Sequence, residues 1–156
     1  MWWYKMELLF EKYDAFLKEF GEGRKMVLST SENEKVSSRM MSIVQFNGRF
    51  WFQTDVELRK YHQLSVNHNV ALCIDNIQIE GECEEKGHPL NTPDFCNVFQ
   101  KNFKGSFDAY TSLKNERLFS VRPLFIQRWK YIDGIPYIEK FDFDNESYSC
   151  EKYMGV

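Results

Sequence analysis

Three basic residues lie close to a predicted helix start and are candidates for binding an anion. Arg39 lies within a predicted strand, and Arg59 and Lys60 follow Thr54, where a helix is predicted to begin. If the strands on either side of Asn47-Gly48 pair, Arg39 lies two residues further from that turn than the level of Thr54. A helix N-terminus carries unpaired N–H groups and a partial positive charge, so added cations favour a bound phosphate.

The helix start is predicted from the sequence Thr-Asp-Val-Glu at 54–57, which matches the capping box. The helix is predicted to end near Val66. The same spacing has an alternative interpretation without a ligand. Asp55 and Arg59 would form an exposed ion pair worth about 0.3 kcal/mol, and Lys60 would be solvated. Spacing alone leaves both interpretations open.

The elements around these residues predict a mainly β chain, an antiparallel barrel with peripheral helices. An amphipathic helix is predicted over 1–21, ending in glycines, and a second helix over 92–105. Hairpin turns are predicted at Asn47-Gly48 and Asp133-Gly134. Residues 144–156 are polar and predicted to fray. The strands are predicted over 25–30, 36–46, 49–54, 70–74, 77–84, 117–121, 124–132 and 135–143.

Length and composition limit the possible functions. A chain of 156 residues predicts a single domain over 1–156, and an aromatic share of 17% favours strands. The net charge of −3 gives no general attraction to nucleic acid. A mean hydropathy of −0.53 without a long apolar run predicts no membrane span. With no export signal and scattered Cys and His residues, we expect a cytoplasmic protein without a metal site.

An ordered series of segments runs through the middle of the chain, from about residue 25 to residue 83. In chain order these are Ser38-Arg39-Met40-Met41, Trp51-Phe52-Gln53-Thr54, Leu58-Arg59-Lys60-Tyr61-His62-Gln63-Leu64, Asn67-His68-Asn69-Val70-Ala71-Leu72 and Ile77-Gln78-Ile79-Glu80-Gly81-Glu82-Cys83. The series resembles the pyridoxamine 5′-phosphate oxidase-like split barrel that binds flavin mononucleotide (FMN). No single segment is specific, but their order is.

The resemblance implies an FMN site between the subunits of a homodimer. Arg39, Arg59 and Lys60 would hold the phosphate, which suits a dianionic group. Five further positions would border the ring or the ribityl chain: Met40, Met41, Ser42, Gln53 and Thr54. Asn76 matches a position near the flavin, and Trp129 resembles a tryptophan that approaches from the partner subunit.

Each of these residues also has an interpretation without a cofactor. Met40 and Met41 would fill the core, Trp51 would be barrel packing and Trp129 a buried anchor. The chain also departs from the true oxidases of the family. Val44 stands where they usually carry a basic residue, and 141–146 lacks their Arg- and His-bearing end. We therefore do not expect oxidation of vitamin B6.

The function that the resemblance implies is a flavin-dependent oxidoreductase, with a small-molecule substrate or a nicotinamide donor. The main alternative is a binding protein that carries or senses FMN. A relative that has exchanged FMN for haem is a variant of this alternative, with His62 as a candidate ligand. A scaffold with an empty site is a third interpretation.

Overall fold

The protein is described by a computed structural model covering residues 1–155, and its eight strands confirm the mainly β prediction. The helices are α1 (Trp2–Phe20), α2 (Arg59–Val66) and α3 (Pro93–Asn102), with short helical turns at Pro89–Asn91, Lys104–Ser106 and Phe107–Thr111. The strands are β1 (Gly23–Glu32), β2 (Lys35–Phe46), β3 (Arg49–Asp55), β4 (Asn69–Ile74), β5 (Ile77–Glu85), β6 (Glu116–Ile132), β7 (Ile135–Asp142) and β8 (Ser147–Lys152).

All eight strands form one antiparallel sheet in the order β3-β2-β1-β4-β5-β6-β7-β8. A further pairing between β3 and β6 closes six of them into a barrel, and β7 and β8 continue the sheet beyond β6. Closure pairs β3 with β6, whereas β8 keeps one free edge at the end of the sheet in the described part of the chain. None of the helices in residues 1–155 is both long and apolar enough to cross a bilayer.

The hairpin of β2 and β3 splits open shortly after its turn. Asn47 and Gly48 both have positive φ, 52° and 70°, as the sequence predicts for a two-residue turn. Only three residue pairs follow, ending at Val44 opposite Trp51. Beyond that point β2 pairs with β1 and β3 pairs with β6. The gap between the diverging strands positions the site described below.

The core has two parts, one on each side of the sheet. Inside the barrel, Phe50 and Phe52 join a large apolar cluster onto which α1 packs, with Phe20 5.4 Å from Phe50 between ring centroids. Outside it, Trp51 packs with Phe95 and other residues under α3. Strand β3 is therefore covered on both faces, as its run of aromatic residues predicts.

The structure differs from the sequence-based expectations at the C-terminal end. The segment 144–156 is predicted to fray, but residues 147–152 form β8, paired with β7 from Asp142–Ser147 to Tyr137–Lys152; residue 156 lies outside the described residues. The two predicted strands over 117–132 are one strand, β6. It continues through Pro123 because its pairing with β5 shifts register at Gly81. Local polarity gave no sign of either tertiary pairing.

Candidate functional site

A cavity of about 400 Å³ lies where β2 and β3 diverge. Its walls come from β2, β3, the start of α2, helix α3, the turn after α3 and the first residue of β6. The lining residues are Met40, Met41, Ser42, Gln53, Thr54, Asp55, Leu58, Lys60, Phe99, Ser106, Tyr110 and Glu116. The volume lies within the range of small-molecule sites, roughly 300–1,000 Å³.

Thr54 and Lys60 line this cavity, and the polar group of each has no partner within residues 1–155. Thr54 is 3% exposed, and its Oγ1 makes no hydrogen bond. Lys60 is half-buried, and neither a hydrogen bond nor an ion pair engages its Nζ. Burial, and then the charge of Arg39, lower the pKa of Lys60. A buried hydroxyl without a partner lowers the stability of the protein by about 1–3 kcal/mol. Thr54 and Lys60 therefore suit a ligand with polar oxygen atoms.

The predicted start of α2 at Thr54 is wrong. Helix α2 begins at Arg59 after Leu58, and no side chain caps it. Thr54 stays in β3, because the ladder between β3 and β6 continues as far as Asp55 opposite Glu116. Thr54 lines the cavity, and its hydroxyl is not used as a helix cap but is buried without a hydrogen bond within residues 1–155.

Asp55 also differs from its expected role. Its Oδ1 accepts a hydrogen bond from the backbone N–H of Glu57 at 2.8 Å. Within residues 1–155 it forms no ion pair with Arg59, whose side chain is exposed. The interpretation of these residues as a surface ion pair is therefore wrong, and Arg59 keeps its charge unpaired next to the cavity.

Arg39 lies behind the cavity wall rather than in it. Its guanidinium donates hydrogen bonds to Thr30 Oγ1 at 2.8 Å, Gln63 Oε1 at 2.9 Å and the carbonyl of Leu28 at 3.2 Å. Burial, and then the charge of Arg59, lower the pKa of Arg39. Arg39, Arg59 and Lys60 thus lie close enough to influence one another, but Arg39 also fastens α2 to the barrel.

The residues expected along the ring lie on both sides of the gap. Met40 is 59% exposed, which excludes the interpretation that it fills the core, whereas the half-buried Met41 packs against the core. Ser42 is half-buried. Gln53 is buried, and its Oε1 accepts a hydrogen bond from Thr111 at 3.0 Å. The structure therefore brings these four together with Thr54 and Lys60 at one cavity.

Asn76 and Trp129 lie elsewhere in the chain. Asn76 follows β4 in the turn to β5 and donates to the carbonyl of Trp129. Trp129 is twelve residues along β6 from Arg117, the partner of Thr54, which is up to roughly 40 Å of strand. Its ring packs edge-on against Tyr153. Within a single chain neither residue lines the cavity.

Sequence reasoning missed the most unusual residue of the cavity, Glu116. This glutamate is 5% exposed, and its carboxyl has no hydrogen bond or ion pair within residues 1–155. Burial, and then the charge of Asp55, raise the pKa of Glu116 to about 7, which Lys60 partly offsets. In the sequence it is one of 23 acidic residues and follows a polar loop, so only the pairing of β3 with β6 reveals it.

A larger cavity of about 650 Å³ is less suited to an anion. It is lined by Arg49 and Arg122, but both are already paired, Arg122 with Glu82 at 2.7 Å and Arg49 with Glu84 at 3.4 Å. Phosphate binding there would require breaking these pairs.

His62 is engaged at the surface. Its Nε2 lies 2.9 Å from Glu32 Oε1, and the side chain is 66% exposed. No group of three or more His, Cys, Asp or Glu side chains in residues 1–155 is placed to hold a metal ion.

Comparison with solved structures gives several matches, whereas no protein-family model and no curated protein matches the sequence. An FMN-binding, pyridoxamine 5′-phosphate oxidase-related protein from Nostoc punctiforme matches with a TM-score of 0.60 and 13% identity, over 96% of this chain and 95% of that one. General stress protein 26 from Bacillus anthracis matches with a TM-score of 0.57 and 22% identity, over 82% and 95% of the two chains.

A third match is a haem storage protein from Vibrio cholerae, with a TM-score of 0.58 and 17% identity over 71% of this chain and 89% of that one. At these identities the likeness establishes the fold, and the proteins that share it bind different groups. The chain has the antiparallel split-barrel fold of pyridoxamine 5′-phosphate oxidase-like proteins, as the segments between residues 25 and 83 predict.

Proposed function

We propose that this chain is a flavoprotein that binds FMN in the cavity between β2 and β3. The observation that carries the proposal is that Lys60, half-buried in this cavity, has no partner for its Nζ within residues 1–155, and that Thr54 lines the same cavity. A phosphate would accept from Lys60 Nζ, and Arg59 and Arg39 add positive charge nearby. The FMN-binding protein from Nostoc punctiforme, which has the same fold, supports the choice of ligand.

The rest of the cavity suits the less polar part of FMN. Met40 and Met41 on one side and Phe99 and Tyr110 on the other offer apolar and aromatic surface. Ser42 and Gln53 lie between them and offer hydrogen bonds. A site with apolar walls and a few fixed polar groups is the usual form of a cofactor pocket.

We further propose that the protein is an FMN-dependent oxidoreductase. When bound, FMN supplies hydride or electron transfer, so the chain has to bind it, orient it and limit access of water. The reducing partner would be a nicotinamide donor or a small-molecule substrate. Val44, where a basic residue would mark a vitamin B6 oxidase, is fully buried beside Trp51 and Phe95. We therefore propose a different substrate.

A homodimer with FMN at the subunit interface is part of the proposal. The cavity is open, and Asn76 and Trp129 are too far along the sheet to close it from the same chain. A second copy would bring them to it. Sedimentation at micromolar concentration should give a dimer, and a monomer that holds FMN at full occupancy would contradict the shared site.

The cytoplasm is the proposed location, because all four cysteines, Cys73, Cys83, Cys96 and Cys150, are free thiols. Reduced thiols are typical of that compartment.

The experiment that tests FMN binding is spectroscopic. The purified protein should be yellow, release FMN on acid treatment and bind it again in a titration. Bleaching by a nicotinamide donor would support the oxidoreductase, whereas yellow protein that no donor reduces would support an FMN carrier. A Soret band would support a haem protein instead, although the contact of His62 with Glu32 does not favour it.

Combined Arg59→Ala and Lys60→Ala substitutions should weaken FMN binding by at least roughly a hundredfold, since two charge-assisted contacts are lost. The matched control combines Lys101→Ala with Lys104→Ala, which removes two exposed, ion-paired lysines outside the cavity. Equal affinity of the two double variants would reject the phosphate site.

A further inference from the structure

Glu116 is a buried carboxyl that faces the cavity without a partner. It opens β6, directly opposite Asp55 in β3, so the two side chains lie on the same face of the sheet. Both line the cavity together with Lys60. Buried acidic side chains are normally paired with a cation or with several donors, and Glu116 has neither within residues 1–155.

The charged and titratable groups around Glu116 come from each element packed near it. Asp55 in β3 is negative, Lys60 in α2 is positive, and Tyr110 lies in the turn after α3. Helix α3 itself contributes only the apolar Phe99 to the cavity. Arg117, the next residue, donates to the backbone carbonyls of Lys114 and Glu116 rather than to the Glu116 carboxyl.

These surroundings favour a neutral carboxyl. Burial and the nearby charge of Asp55 both disfavour a second negative charge, and they raise the pKa of Glu116 to about 7. An anionic ligand at Lys60 would disfavour it further. A protonated carboxyl, however, can donate its O–H to a ligand oxygen in a short and strong hydrogen bond.

We propose that Glu116 contacts FMN as a neutral carboxylic acid and donates a hydrogen bond to one of its oxygen atoms, so that loading of the cofactor takes up a proton from solvent. This inference rests on the proposed function. It makes occupancy of the site sensitive to pH near neutrality.

The test is a fluorescence titration of FMN at pH 6.0 and pH 8.5 with the wild-type chain and with Glu116→Gln. Between pH 6.0 and pH 8.5, the affinity of the wild-type chain for FMN should fall by roughly 30-fold more than that of Glu116→Gln. The reason is that at high pH the Glu116 carboxyl of the free protein must be reprotonated before FMN binds. Glutamine keeps a donor and cannot ionise, so Glu116→Gln should bind FMN more tightly than wild type at pH 8.5. Changes in the ionisation of FMN itself affect both proteins equally.

The control is Glu11→Gln, an exposed glutamate of α1, which should follow the wild-type profile. The inference would be overturned if the affinities of wild type and Glu116→Gln for FMN changed equally between the two pH values. A loss of affinity in Glu116→Gln at both pH values would also overturn it. Absence of FMN binding by the wild-type chain at pH 6.0 would instead reject the proposed function.

A second measurement does not depend on comparing affinities. Calorimetric titration at pH 7.5, in buffers of different ionisation enthalpy, counts the protons taken up on binding. The wild-type chain should take up more protons than Glu116→Gln. Equal proton uptake by the two proteins would overturn the inference, whatever the difference in their stability.

Discussion

Two buried glutamates of the same barrel, Glu139 and Glu116, differ in what surrounds them. Glu139 in β7 is 3% exposed and lies 3.3 Å from both Arg128 and Lys130. Arg128 also binds Glu19 of α1 at 2.9 Å. Glu116 is similarly buried, at 5%, but it lines a cavity, and no cation of the described residues 1–155 forms an ion pair with it. The first carboxylate belongs to a network within the fold, and the second is left for a ligand.

The difference shows how burial of charge separates fold from function in this chain. Around Glu139 the charges compensate one another and connect α1 to the sheet, so their removal should affect stability. Around Glu116 and Lys60 the polar groups remain uncompensated, which lowers the stability of the free protein. Uncompensated groups are typical of sites that bind a ligand.

The largest effect is expected on the compensated side. Arg128→Ala would leave Glu139 buried with only Lys130 and remove the contact with Glu19, so the free energy of unfolding should fall by about 3–5 kcal/mol. Urea denaturation measures it. The control Arg122→Ala breaks an exposed pair with Glu82 and should change stability by less than about 1 kcal/mol. If Arg128→Ala changed the free energy of unfolding as little as Arg122→Ala, the contrast between Glu139 and Glu116 would be contradicted.

An intermediate effect is expected at Glu116 in the free protein. Its pKa is about 7 in the folded chain and near 4.3 when unfolded, so the folded state binds the proton more tightly. The contribution of Glu116 to the stability of the folded protein is then fully present below about pH 4.3 and is lost as pH rises through about 7. The stability of Glu116→Gln relative to wild type should therefore increase between pH 4.5 and pH 8, by on the order of 2 kcal/mol once partial screening by solvent is allowed for.

Denaturation curves at the two pH values measure this gain, and the other carboxyl groups contribute equally to both proteins. A stability difference that stays constant with pH would mean that Glu116 does not titrate near neutrality. The comparison with Glu139 would then have to rest on geometry alone.

The smallest effect is expected at Asp55. Its charge raises the pKa of Glu116, so Asp55→Asn should move the pH midpoint of the stability difference downward, by less than about one pH unit. Asparagine keeps the oxygen that accepts from the N–H of Glu57, so the turn before α2 should persist. An upward movement of the midpoint would contradict the assigned role of Asp55.

Local sequence patterns predict those parts of the fold that depend on near neighbours. Helix α1 buries Leu9, Tyr13, Phe16, Leu17 and Phe20, the residues that recur at three- and four-residue steps. The turn at Asn47-Gly48 follows from two residues that tolerate positive φ. Both features are visible in a short stretch of sequence.

Features that depend on distant pairing could not be predicted in this way. The ladder of β3 with β6 joins residues 61 to 71 positions apart, and it overrides the local capping signal at Thr54. The same ladder sets Glu116 opposite Asp55. Met40 and Met41 were found through the family resemblance, and Lys60 was also found from its place after the predicted helix start at Thr54. The resemblance covers β1 to β5 but not the start of β6.

The central claim is that the unpaired cation of the cavity, and not a paired one, recognises the cofactor. The direct measurement is the dissociation constant of FMN for Lys60→Ala and Arg122→Ala at pH 6.0. Lys60→Ala should bind roughly 10- to 100-fold more weakly than wild type, since one charge-assisted contact is lost, and Arg122→Ala should bind as wild type does. Unchanged affinity in Lys60→Ala, or an equal loss in both variants, would contradict the account.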